Sequence, residues 1–484
     1  MSRYKKLTLL HSNDMHGDFL AQNVDEKLVG GVSMLSGYVS KVRSEEKNTI
    51  YCIAGDMFRG SVIDSEFKGV STIEIMNMLS PDVVTIGNHE TDYGIAHLLF
   101  IEKCAKFPII NANLHIKTNS SRLFEPHHIF ELDGMKILFI GIITESVMNQ
   151  ARNEGLIGSF IDVGEAAQEV SRICDAYKTA DIDLTVLLTH IGFEEDKQLA
   201  AQLDPACGVD IIVGGHSHTF IDEPAVVNGI PVVQAGVGTD GIGRFDIIID
   251  TENNCISDYK WQFLSIVPEN CPRDEAIDKI LASYKTVTDV KYSRVISRFK
   301  RKLTHPDRFR ETELGDLFCD ILAESLGVDI MFIASGSIRG EELGPVVQYR
   351  NLTECFPYDG KVNMLTVTGR QLRSMLESVL RGGSGFFQIS KRLRVTYDDS
   401  EGAITSLTFD GKPVSENTFY RIGLQQYQYS SFEKYFNLPI SEIEDKHPSK
   451  MIATSIRDIV EECLSSSQNV DVNLDGRITI MRKN

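Results

Sequence analysis

The sequence predicts an α/β layered N-terminal domain followed by an α+β C-terminal domain, and three observations carry that reading. Short apolar strands alternate with helical patterns from residue 7 to about 265, the rhythm of sheets covered by helices. Pro268 and Pro272 then break the pattern, and Asp274 to Val290 reads as one connecting helix. Beyond about Val295 the helices and strands no longer alternate regularly. The expected boundaries are 1–267, a linker at 268–300, and 301–484. A chain of 484 residues is in any case too long for one ordinary core.

Taken in order, Leu7-Thr8-Leu9-Leu10 is a strand that ends in His11-Ser12-Asn13-Asp14-Met15-His16-Gly17. Val32, Leu35, Val39 and Val42 recur at helical spacing between Gly31 and Glu46. Thr49 to Ala54 is a second strand, ending in Gly55-Asp56, and Ser71 to Met78 a helix. Val83 to Ile86 leads into Gly87-Asn88-His89-Glu90-Thr91-Asp92, followed by a helix over Ile95 to Cys104 and a strand over Pro108 to Asn113. Lys136 to Ile143 is a strand and Gly164 to Thr179 a helix. Leu184 to Leu188 ends at His190, and Asp210 to Val213 ends at His216-Ser217-His218. Pro231 to Ala235 and Arg244 to Ile249 complete a β-rich edge. The C-terminal domain reads as helices at 313–326 and 369–381 with strands at 328–333, 362–368, 392–397, 404–409 and 420–424.

The bulk numbers narrow the function. Hydrophobic content of 42% and charged content of 24% describe an ordinary globular composition. A formal charge of -19 argues against a generic nucleic-acid or anionic-membrane binder, because polyphosphate surfaces repel it. A small phosphorylated substrate is compatible with that charge if cations sit in the site. The cysteines are nine, an odd number, scattered and without a C-x-x-C pair, which points to a reducing compartment. Met1 to Lys6 runs straight into the first strand, too short for a signal-peptide core, and no later run approaches the roughly 20 apolar residues of a membrane span. The expectation is a cytoplasmic protein with a small-molecule substrate, no nucleic-acid polymer and no membrane partner.

Polar residues gather where the N-terminal strands end. Asp14, His16, Asp56, Asn88, His190, His216 and His218 supply two carboxylates, one amide and four imidazoles. Residues i and i+2 of an extended segment face the same way, so Asp14/His16 and His216/His218 can each aim two ligands at one place. Carboxylate and imidazole without thiolate suit Mn, Fe, Zn or Co better than a structural zinc site. Seven ligands are too many for one ion and suit two. With Asp56 bridging, the ions would sit roughly 3.5–4 Å apart, the separation used for in-line displacement at phosphorus. His89 is left to protonate a leaving oxygen or steady the equatorial oxygens, with Asp92 three residues on to orient its ring. A lone Asp-x-His or a lone core histidine would mean little. Five such stretches, each directly after an apolar strand, mean more.

In chain order these stretches are HSNDMH, GDMFRG, GNHETD, NAN, LTHIGF and GGHSHT. Together they resemble the signature of calcineurin-like metallophosphoesterases, and more closely the branch of 5′-nucleotidases, 2′,3′-cyclic phosphodiesterases and UDP-sugar hydrolases. The resemblance implies a four-layer sandwich for the N-terminal domain and a substrate-binding C-terminal domain. It implies two divalent ions, one held by Asp14, His16, Asp56 and His218 and the other by Asp56, Asn88, His190 and His216. It makes His89 and Asp92 the catalytic dyad. His218 stands where the nucleotidases usually have Gln or Asn. The implied reaction removes phosphate from nucleoside 5′-monophosphates by in-line attack of a metal-bound water, in nucleotide catabolism. Hydrolysis of a 2′,3′-cyclic or nucleotide-sugar diester, action on a sulfur ester, and a non-catalytic nucleotide sensor are the alternatives. A sensor usually lacks a ligand or the catalytic histidine, and this chain keeps them all.

The second domain follows the family less closely. Arg308-Phe309-Arg310-Glu311 resembles the family's R-x-R-E segment, and Ala334-Ser335-Gly336-Ser337-Ile338-Arg339 its N-x-G-x-I-R loop with Ala334 in place of Asn. Pro357-Tyr358-Asp359-Gly360 and Gly385 to Ser390 look like two further family turns. By resemblance Arg308 and Arg339 contact phosphate or ribose, while Tyr358 and Tyr427 flank a base; surface arginines paired with Glu311 or Glu341 are the competing reading. Gln426 to Glu433 replaces the usual Gly-Gly-Asp-Gly-Phe turn. The resemblance also implies that rotation about the linker closes the site. Asp471-Val472-Asn473-Leu474-Asp475-Gly476 opens like a calcium loop but lacks Glu at the twelfth position, and a plain turn is expected there.

Overall fold

The computed structural model describes residues 3–481 apart from 25–26, 117, 145–156, 159–161, 382–384 and 446. It divides into two units, Met1–Thr288 and Asp289–Asn484.

In the first unit twelve strands build two six-stranded sheets. Strands β1 (Tyr4–Ser12), β2 (Thr49–Ala54), β3 (Val83–Thr85) and β4 (Ile109–Ile110) are parallel neighbours. Strands β5 (His127–Leu132), β6 (Met135–Ile143), β7 (Leu184–His190), β8 (Ile211–Val213), β9 (Ala225–Val227) and β10 (Ile230–Val233) form the second sheet in the order β9-β10-β8-β7-β6-β5. Strands β11 (Gly241–Asp250) and β12 (Cys255–Ser265) return antiparallel beside β1 and close the first sheet.

The strands read as continuous apolar runs because both of their faces are covered. Leu7 and Leu9 of β1, Ile50 and Cys52 of β2, and Ile137 and Phe139 of β6 pack between the sheets. Their alternates Leu10, Tyr51 and Ile53 turn to an outer layer that includes Val32, Leu35, Val39 and Val42 of the helix Val32–Glu45. Leu138, Ile140 and Ile142 turn the other way, to Ala166, Val170 and Ile173 of the helix Val163–Ala176. The result is helix, sheet, sheet, helix. Fully burying each such aliphatic side chain contributes about 1.5–3 kcal/mol, and that sum fixes the strand ends in place.

Some local expectations shift. The strand read over Pro108 to Asn113 is only Ile109–Ile110, because Asn111 Oδ1 accepts the N–H of Asn113 at 3.2 Å and of Leu114 at 2.8 Å and turns the chain. The helix Phe193–Gln202, the strand Cys255–Ser265 and the helix Ile456–Ser466 are additions to the sequence reading.

The second unit centres on a five-stranded sheet ordered Phe387–Ile389, Ile330–Ala334, Phe419–Gln425, Val362–Thr368 and Lys450–Ala453. Met331 and Ile333 face the helices Glu313–Leu326 and Ile456–Ser466, through Leu314, Phe318, Val460 and Leu464. Ile330 and Phe332 face the helix Gly369–Leu380, through Leu372, Met375 and Leu376. This is an α+β arrangement. All nine cysteines are unpaired. Among the described residues no helix is long and apolar enough to cross a membrane.

Candidate metal centre

The C-terminal ends of β1, β2, β3, β7 and β8 supply all seven expected ligands. Parallel strands end on the same edge of their sheet, which is where open α/β sheets place ligands. The backbone pays for the placement. Asp14 (φ 50), His16 (φ 50), Asp56 (φ 53), His216 (φ 80) and His218 (φ 53) are all in the left-handed region that non-glycine residues avoid. Strain of this kind persists where the surrounding structure over-determines it, and it clusters at functional sites. Two glycines make the convergence possible. A Cβ on Gly87 would lie 2.2 Å from Asp56 Oδ1, and one on Gly215 would lie 2.4 Å from the Ala54 carbonyl and 2.8 Å from His190 Nδ1.

The ligand atoms form overlapping groups. One oxygen or nitrogen each from Asp14, His16 and His218 lie within 4.8 Å of one another, as do those of Asp56, His190 and His216. Asp56 also groups with His16 and His89, so its carboxylate stands between the two sets. His16 Nε2 and His218 Nε2 are 3.0 Å apart. Asn88 Oδ1 lies 3.0 Å from His216 Nδ1 and 3.3 Å from His190 Nε2. Second partners fix which ring nitrogen points inward. His190 Nδ1 bonds the Ala54 carbonyl at 2.9 Å and His16 Nδ1 approaches the Phe58 carbonyl at 3.4 Å, leaving each Nε2 for the centre. Asn13, absent from the sequence expectation, donates to Asp14 Oδ2 at 2.7 Å and anchors it to the 235–236 turn.

The electrostatics call for positive charge. Asp14 is fully buried and Asp56 is 2% exposed. Burial disfavours the Asp56 carboxylate, yet the imidazoliums of His190 and His89 outweigh it and hold it below the usual carboxylate range. Burial likewise works against a charged His190, but Asp56, with Oδ2 3.2 Å from Nε2, raises it. Burial lowers His16 and His216, while Asp14 raises His218. Convergent carboxylates, imidazole nitrogens and an amide oxygen fit divalent cations of the Mn, Fe, Zn or Co type.

His89 and Asp92 meet beside these ligands, with His89 Nδ1 2.5 Å from Asp92 Oδ2. That bond leaves Nε2 as the free ring nitrogen of a residue lining an open cavity of about 500 Å³, together with His16, Asp56, Asn88, His216 and His218. Two residues inside the quoted motifs had no expected role. Arg59 donates to the same Asp92 oxygen at 2.5 Å and lines the cavity. Glu90, 2% exposed, accepts the N–H groups of Asp56 at 3.0 Å, Met57 at 2.7 Å and Gly87 at 2.6 Å, tying the β2 and β3 turns together.

Comparison with known proteins identifies the family. Residues 7–220 match the calcineurin-like phosphoesterase model and residues 288–438 the 5′-nucleotidase C-terminal domain. The chain belongs to the 5′-nucleotidase family of calcineurin-like metallophosphoesterases. Snake venom 5′-nucleotidase of Naja atra is 27% identical over 446 residues, covering 82% of each chain. The Mus musculus 5′-nucleotidase is 28% identical over 445 residues, 81% of this chain and 75% of that one. The structure of a 5′-nucleotidase precursor from Thermus thermophilus superposes with a TM-score of 0.66 at 23% identity, covering 99% of this chain and 100% of that one, a likeness of fold. Members of the 5′-nucleotidase family are metal-dependent phosphoric ester hydrolases, and this chain is one of them.

Within the second unit of this nucleotidase-family chain the expected substrate residues lie at the surface. Tyr358 is 42% and Tyr427 62% exposed. Arg339 sits 5.3 Å from the Tyr358 ring centre and donates through Nε to its hydroxyl at 3.1 Å. Arg308 is exposed, as is Phe309 beside it, which the sequence reading did not single out. Glu311 bonds backbone N–H groups of Gly476 and Ile478, and among the described residues no Arg308–Glu311 ion pair is present. Gln388 holds the arginine segment, accepting the N–H of Thr312 at 3.1 Å and donating to the Arg310 carbonyl at 2.8 Å. Tyr427 stands in a short helix, Gln426–Ser430.

Proposed function

We propose that the chain releases phosphate from nucleoside 5′-monophosphates or closely related nucleotides with the help of two divalent cations. The observation that carries this reading is the position of Asp56, buried between two ligand sets. Asp14, His16, His218 and Asp56 would hold one ion, and Asp56, Asn88, His190 and His216 the other. When bound, such a pair supplies Lewis acidity, activating water and neutralising phosphoryl oxygens.

The chain's own residues do the rest. His89 holds a proton at Nε2 for the leaving oxygen, and Asp92 fixes the ring through Nδ1. Arg59 steadies Asp92 and presents a guanidinium to the cavity, where phosphoryl oxygens suit its planar fork. Tyr358 and Tyr427 serve as base contacts, with Arg308 and Arg339 for ribose or phosphate oxygens. The nine unpaired cysteines support a reducing compartment such as the cytoplasm.

The test is phosphate release from AMP, UMP, 2′,3′-cyclic AMP and UDP-glucose after EDTA treatment and Mn²⁺ add-back, with a phosphatase added to the diester assays. The expected result is metal-dependent release, greatest from a monophosphate, and lost in His89→Ala. A higher rate on either diester would place the chain with the phosphodiesterases or UDP-sugar hydrolases. Bound metal with turnover of none of the esters would replace the enzyme reading with that of a nucleotide sensor.

A further inference from the structure

The second unit contains another set of converging acids that the reaction above does not use. Glu311, Asp316 and Asp475 each bring one carboxylate oxygen within 4.8 Å of the other two. Glu311 precedes the helix Glu313–Leu326, Asp316 stands in its first turn, and Asp475 comes from the loop before the strand Ile478–Met481. Glu311 is fixed by the N–H groups of Gly476 at 3.1 Å and Ile478 at 2.9 Å. Asp475 is fixed by Arg394 at 2.9 Å and by Arg477 Nε at 3.0 Å.

Asp316 is different. It is fully buried, and among the described residues neither of its oxygens receives a hydrogen bond. Arg477 Nε passes Oδ1 at 3.4 Å, but the guanidinium directs its hydrogen bonds to Asp475, to both oxygens of Asp320 at 2.8 Å, and to the Ile389 carbonyl at 3.0 Å. A buried carboxylate oxygen without a donor is strongly unfavourable. Asp316, Asp320 and Asp475 share the guanidinium of Arg477, and Asp475 also takes Arg394, while Glu311 faces the backbone N–H groups of Gly476 and Ile478.

One divalent cation would give the buried Asp316 carboxylate the partner it lacks. The donors are all oxygen, the set preferred by hard cations, in contrast to the imidazole-rich centre of the first unit. Two ligands on opposite sides of a calcium ion lie about 4.8 Å apart, given Ca–O distances of about 2.4 Å. The Asp475 side chain is 41% exposed, which leaves room for water to complete the coordination. The calcium-like run at 471–476 is used in an unexpected way. Arg301 takes Asp471 at 3.2 Å, Asn473 Oδ1 at 3.2 Å and the Val472 carbonyl, and only Asp475 turns to the acids. We propose that Glu311, Asp316 and Asp475 bind a structural Ca²⁺ that fastens the C-terminal segment to the helix Glu313–Leu326.

The experiment is equilibrium dialysis of the EDTA-treated full chain against ⁴⁵Ca²⁺, with melting temperature followed in parallel. An Asp56→Asn background weakens the first centre and isolates the second. The expected result is one Ca²⁺ bound per Asp56→Asn chain at about 1 mM free ion, with a raised melting temperature. Both effects should vanish on adding Asp316→Asn. Asp475→Asn, at an exposed position, provides an independent variant should Asp316→Asn not fold, and it should weaken binding at least tenfold. Equal Ca²⁺ binding and equal melting shifts with and without these substitutions would overturn the site, as would no binding at all to the Asp56→Asn chain.

Discussion

The two units treat buried acid in opposite ways. In the first, Asp14 and Asp56 are surrounded by imidazoles delivered from four strand ends, and the backbone there accepts strain to bring them together. In the second, Glu311, Asp316 and Asp475 face guanidiniums and backbone N–H groups, with Asp316 left without a donor. Imidazole and carboxylate in a strained, glycine-dependent cradle favour reactive transition-metal chemistry. Oxygen ligands on relaxed elements favour holding. The residues expected to meet a nucleotide form a third class, exposed on the second unit, with Arg308, Arg339 and Tyr358 outside its helices and strands and Tyr427 in a short helix, and the departures from the family pattern at Ala334 and at 426–433 fall beside them. Chemistry requires a rigid scaffold, whereas recognition tolerates change at an exposed tip.

The largest effect separating these classes should come from Asp56→Asn. Because the one carboxylate groups with His190 and His216 and also with His16 of the other set, the variant should lose both ions and fall to the background of EDTA-treated protein. Metal analysis alongside phosphate release checks this, and retention of two ions at full occupancy would contradict a bridging role. Next is His89→Ala, expected to lower turnover by about 10²–10⁴-fold, the usual worth of a positioned proton donor, with metal content unchanged. Loss of metal in that variant would make His89 a ligand rather than a proton donor.

A smaller effect concerns Asp196, an acid of the first unit held by Thr189 and Gln234. It is fully buried, accepts from Thr189 Oγ1 at 2.6 Å, and burial pushes its carboxyl up to about 7. The folded state therefore holds a proton that the unfolded chain releases near its ordinary value of 3.8. Its contribution to stability is complete below that value and lost as pH rises through about 7, on the order of 2 kcal/mol between pH 5 and 8. Denaturant midpoints should fall across that interval in the native sequence and fall less in Asp196→Asn. An unchanged slope in the variant would assign the pH dependence elsewhere.

The smallest expected change is Tyr358→Ala. It should weaken nucleotide binding by about 1–3 kcal/mol, the worth of one stacked base, and leave hydrolysis of a phosphate ester without a base unaffected. Equal losses on both substrates would move Tyr358 from recognition into the chemistry.

Much of the first unit was legible because its strands are covered on both sides. Runs such as Ile137 to Ile143 are without a polar side chain, so the polar residues that follow each run stand out. Arg59 and Glu90 were in plain view inside GDMFRG and GNHETD, but their roles depend on partners more than thirty residues away, which no local pattern reveals. The helix Phe193–Gln202 did carry a start signal, the acidic run Glu194-Glu195-Asp196, that was available in the sequence. Tyr427 was named as a base contact without any sign that it begins a helix.

By itself the sequence determined the α/β and α+β division, the strand ends and the types of ligand at each, since apolar periodicity and residue chemistry are local properties. Tertiary structure alone decided that Glu90 ties two turns together, that Arg59 reaches Asp92, and that among the described residues Asp316 is buried without a donor beside Glu311 and Asp475. Each of those depends on distances across the chain, and distance is created only when the sheets and helices pack.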